Sequence, residues 1–85
     1  MKNKIITDKD ETIHLSNVSF GATIYVKKEG NLVGMVFDDT EFDILHSRWT
    51  IRTEGGIVKE CGFYDSRKEL IEDTTERLGY EFFTK

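Results

Sequence analysis

Hydrophobic and polar positions alternate over most of this chain and then, near its end, change period. Phe20 to Lys28 puts Phe20, Ala22, Ile24 and Val26 on one side and Gly21, Thr23, Tyr25 and Lys27 on the other, the two-residue period of a strand. Arg48 to Thr53 alternates as cleanly, with Trp49 and Ile51 opposite Arg48, Thr50 and Arg52. Leu32 to Phe37 is apolar on both sides, which predicts a strand inside the sheet. Shorter β-prone runs stand at Lys4–Thr7, Thr12–Leu15 and Phe42–Leu45. Ile57–Tyr64 alternates without showing which of its sides is buried.

The punctuation agrees. Asp8-Lys9-Asp10-Glu11, Glu29-Gly30-Asn31, Asp38-Asp39-Thr40-Glu41 and Glu54-Gly55-Gly56 are turn sequences, and Gly and Asn accept the positive φ of tight hairpins. After Tyr64 the period becomes helical. Ser66 followed by Glu69 is a capping pair, and Leu70, Ile71, Thr74 and Leu78 form one stripe. Gly79 suits the left-handed residue that stops a helix, and Tyr80–Thr84 reads as a closing strand. The predicted fold is α+β: an antiparallel meander of about six short strands, one C-terminal helix packed on the sheet, and a short closing strand. Eighty-five residues make this one domain, 1–85, with one modest core.

Charge changes the picture at one place. Sixteen acids and twelve bases give a net charge of −4. Asp38, Asp39, Glu41 and Asp43 put four acids in six residues, and without them acids and bases balance. The outer helix face adds Glu69, Glu72, Asp73 and Glu76. An acidic balance argues against nonspecific nucleic-acid binding, which needs a basic footprint. One local arrangement points the other way: Arg48, Arg52 and Lys59 could share a sheet face with Tyr25 and Lys27, as single-strand binders arrange theirs. No segment is apolar over the ~20 residues of a membrane span, and no leader pattern is present, so a reducing cytoplasm is the expected setting.

Catalytic and cofactor patterns are sparse. No glycine-rich loop leads from a strand into a helix, so neither a phosphate loop nor a dinucleotide fingerprint is expected. One cysteine, Cys61, excludes an internal disulfide and a zinc site of several thiolates. It reads as a small core hydrophobe rather than a nucleophile. The acidic turn lacks the glycine and terminal glutamate of a calcium loop. The expectation is a protein with no catalytic residue, metal or cofactor.

Phe63 to Glu72, closing on Leu78 to Phe83, together with Trp49-Thr50-Ile51-Arg52 and Gly55-Gly56, resembles the small accessory proteins of bacteriophages and prophages. That resemblance implies a short acidic α+β domain that binds and inhibits a host protein, such as a nuclease or other defence enzyme. The expected partner is a host protein with a basic surface, met by Asp38, Asp39, Glu41, Asp43, Glu69, Glu72, Asp73 and Glu76. The second reading is a domain that sequesters a small ligand or nucleotide, completed by homo-oligomerisation, with His14, His46, Arg48, Arg52 and Cys61 lining the pocket.

Overall fold

The computed structural model describes residues 3–38 and 48–84. They form a seven-stranded mixed sheet with one C-terminal helix packed on it, the α+β class that the pattern predicts. In chain order the elements are β1 (Lys4–Ile6), β2 (Thr12–His14), a 3₁₀ turn (Leu15–Asn17), β3 (Ile24–Lys28), β4 (Asn31–Asp38), β5 (Trp49–Thr53), β6 (Gly56–Ile57), α1 (Arg67–Leu78) and β7 (Glu81–Thr84). The expected run Phe42–Leu45 lies outside the described residues.

The hairpins form where the turn chemistry places them. Glu29 and Gly30 both take positive φ, 52° and 82°, which closes β3 and β4 through a two-residue turn. Asp10 does the same at φ 59° between β1 and β2, where Thr7 Oγ1 accepts from the Lys9 and Glu11 amides. At Thr53 to Gly56 the Thr53 hydroxyl oxygen accepts from the Gly55 N–H at 3.0 Å, and Gly56 supplies a φ of 112°.

The closing strand does not finish the meander at an edge. The strand order is β2-β1-β7-β3-β4-β5-β6, so β7 sits between β1 and β3. It runs antiparallel to β3 and parallel to β1. The helix provides the crossover that this return requires. Phe82 on β7 is consequently 1% exposed, among Ile5, Ile24, Val26, Ile51, Leu70 and Ile71.

Two local departures from alternation shape the surface. A register shift between Val26 and Lys27 leaves Val33 as an extra residue in β4, because Val26 pairs with Gly34 and Lys27 with Leu32. Strict alternation sets Leu32 opposite Met35 and Phe37; the bulge brings Leu32 onto their side. That side is exposed, so β4 is interior to the sheet but is not apolar on two buried faces. The second departure is at Ile57–Tyr64, which is a strand only at Gly56–Ile57. A turn at Lys59–Glu60 follows, and Val58 and Cys61, three apart, are the buried pair. Tyr64 then rejoins the sheet by a single antiparallel bridge to Trp49.

α1 begins and ends as its sequence requires. Ser66 Oγ accepts from the Glu69 N–H at 3.1 Å, and Gly79 at φ 71° donates to the last-turn carbonyls. Leu70, Ile71 and Thr74 are buried against the sheet, and Leu78 is half-buried. Arg67, the first helical residue, is buried as well. Among the described residues no helix is long and apolar enough to cross a membrane.

Candidate functional site

The outer side of α1 carries Glu69, Glu72, Asp73 and Glu76 on one stripe, at spacings of three and four residues. Glu69 and Glu76 are exposed. The other two are held in place. Glu72 Oε1 accepts from Asn3 Nδ2 at 2.9 Å, rather than pairing with Lys68. Asp73 Oδ2 accepts from the Tyr64 hydroxyl, and from Arg77 Nε at 3.2 Å. The phenol bond chiefly holds the Asp73 carboxyl below the usual range, with Arg77 adding to it. Burial, and then the same bond, raise the Tyr64 phenol. Asp38, at the end of β4, lies 3.6 Å from Arg48 Nε. Asp39, Glu41, Asp43 and His46 lie outside the described residues.

The candidates for a ligand pocket are distributed over the molecule. His14 ends β2, at one edge of the sheet, and its Nδ1 accepts from the Ser16 N–H to cap the 3₁₀ turn. Arg52 is on β5, five positions across the sheet, with its guanidinium 4.9 Å from the Phe37 ring centre. Arg48 lies 5.5 Å from the Trp49 ring. Cys61 is buried, and that burial pushes its thiol up, away from the thiolate a nucleophile needs. Among the described residues no three His, Cys, Asp or Glu side chains gather as a metal would require.

Sequence reasoning misses one feature and shows only part of a second. The first is the environment of Arg67. Its guanidinium donates to the carbonyls of Ser19 (3.0 Å) and Val18 (2.9 Å) and lies 4.3 Å from the Phe20 ring and 5.8 Å from the Trp49 ring. It fastens the β2–β3 connection to the helix start, and burial lowers its pKa. Phe20, expected to begin a strand on the side of Ala22, Ile24 and Val26, instead lies outside β3, is 75% exposed and covers this arginine.

The second is the sheet face away from α1. The pairings Phe83–Tyr25, Tyr25–Met35, Met35–Arg52 and Arg52–Ile57 run in register across β7, β3, β4, β5 and β6. Residues in register share a face, so these five side chains form one row. Lys27 Nζ stands 4.5 Å from the Phe83 ring, and Leu32 and Phe37 extend the row along β4. The expected company of Arg52 with Tyr25 and Lys27 is therefore found; Lys59 stands in the turn after β6.

Protein-family models, curated proteins and solved structures were compared with the chain, and none matches it.

Proposed function

We propose that this chain is a small non-enzymatic binding protein that occludes the basic surface of a host protein, such as a nuclease or other defence enzyme, in the manner of phage accessory proteins. The carrying observation is the carboxylate stripe of α1, with two of its four members fixed by neighbours. Asn3 holds Glu72, and Tyr64 with Arg77 holds Asp73, through one oxygen each. A carboxylate has a second oxygen to offer, and a side chain already ordered loses less entropy on binding. Glu69 and Glu76 extend the field along the helix, and its main effect is on the association rate.

The test uses purified nucleases with basic substrate clefts, association being measured at two ionic strengths. Glu69→Gln with Glu76→Gln leaves the pinned pair and the core intact. It should slow association and flatten its salt dependence. Equal association of parent and variant at low salt, or binding to none of the basic-surfaced proteins, would refute the reading.

A further inference from the structure

We infer that the sheet face opposite α1 is a self-association surface, on which a second copy of this chain packs sheet against sheet in a two-fold dimer. The inference is independent of the acidic-face reading, since the helices lie on the other side of the sheet.

A sheet needs cover for an apolar face, and one helix covers one side. On the other, Leu32 is 65% exposed, Phe37 41%, Met35 40% and Ile57 38%. Phe83 and Tyr25 are half-buried beside them in the same register row. Aromatic residues, Met and Arg are the types enriched at the cores of protein interfaces. The face sets the size of the contact. Seven strands at ~4.8 Å spacing give a width of about 29 Å, and strands of about four residues a height of about 14 Å. The projected area is then ~400 Å² per copy and ~800 Å² for two, the size of a weak, reversible interface rather than an obligate one.

Charge selects the occupant. Lys27 and Arg52 are on this face, but Glu81 pairs with Lys27 in register, and Asp8 and Asp10 line the same hollow as Tyr25, Lys27, Leu32 and Phe83. Carboxylates beside the aromatic row repel a phosphate backbone, which disfavours the single-stranded nucleic acid that Tyr25, Lys27 and Arg52 would otherwise suit. A face bearing both signs is complementary to itself once a two-fold axis turns the cations of one copy toward the acids of the other. Sheets packed this way stand about 10 Å apart, with their strands within about 30° of alignment.

Sedimentation and light scattering of the full chain at about 100 μM, where a micromolar Kd leaves mostly dimer, should give twice the 9.9 kDa chain mass. Met35→Glu and, separately, Leu32→Glu place a charge at the centre and rim of the row; both sites are solvated in the monomer, so the fold should persist by circular dichroism. Each should weaken dimerisation by about a hundredfold. Thr75→Glu, on the exposed side of α1, should leave it unchanged. In the parent, the Met35 methyl resonance should be shielded from a soluble paramagnetic agent. A single 9.9 kDa species over the whole range, or a dimer that survives both variants, overturns the inference. So does saturable binding of a fluorescent single-stranded oligonucleotide that Met35→Glu abolishes.

Discussion

At the scale of single residues, the positions that most constrain this molecule are places where one atom more or less would not fit. Gly34 is the sharpest. It lies in β4 beside the neighbouring strand β5, and a Cβ there would stand 2.9 Å from the Arg52 carbonyl carbon and nearer still to its oxygen. The neighbour is backbone, held by the ladder pairing Met35 with Arg52, so it cannot turn aside. Gly34→Ala should therefore destabilise the protein by about 1–3 kcal/mol, the usual scale of overpacking. A chemical denaturation midpoint equal to the parent's would mean that β4 and β5 are farther apart than described. Arg67 makes the complementary point. It carries a buried cation held by two carbonyls and two aromatic rings, with no carboxylate paired to it among the described residues. Its planar fork suits that setting, and a lysine would not reproduce it.

Among the elements, α1 is the most self-contained. Its cap, stripe and stop are written within fifteen residues, which is why the sequence shows them. The structure returns Ser66 as the N-cap, Leu70 and Ile71 fully buried and Gly79 in the left-handed conformation. Ser66→Ala should cost about 0.5–2 kcal/mol. Leu70→Ala should cost about 2–5 kcal/mol, because a methyl-lined void replaces the side chain. Thermal melts of the two variants should fall in that order, and the reverse order would show that the helix is held by its cap rather than its stripe. The turns at Asp8–Glu11, Glu29–Asn31 and Glu54–Gly56 are legible for the same local reason, whereas that at Asp38–Glu41 runs outside the described residues. What escaped sequence reasoning is non-local. The β4 bulge is set by where β3 and β4 pair, not by any residue that announces it, and it moves Leu32 to the exposed side. Ile57–Tyr64 has the composition of a strand, yet the chain turns at Lys59–Glu60 and buries Val58 and Cys61. Arg67 gives no local signal, because its carbonyl partners at Val18 and Ser19 and the rings of Phe20 and Trp49 come from distant segments. The exposed row was half visible: Tyr25, Lys27 and Arg52 could be placed together, but Phe83 could not until the position of β7 was known.

For the whole molecule, that position decides how the parts cooperate. β7 is the last element made and lies third in the sheet. On one side it meets the β1–β2 hairpin, and on the other the β3–β6 meander. Neither half can bury its apolar side alone: Ile5 belongs to the first and Ile24, Val26 and Ile51 to the second, and Phe82 stands among them all. The hairpin therefore has no stable existence apart from the closing strand, since an isolated two-stranded unit is marginal in water. Phe82→Ala removes the largest fully buried side chain among the described residues and should cost about 3–5 kcal/mol, a large share of the total for a domain of this size. The loss should be felt across the sheet rather than locally. Hydrogen exchange at the Ile5 and Ile13 amides should accelerate by the same factor as at Thr50, which faces Phe37 in the β4–β5 ladder, because all three open when the sheet opens as a unit. If Ile5 and Ile13 lose protection while Thr50 keeps it, β7 fastens the hairpin but does not organise the meander, and the molecule unfolds in two steps.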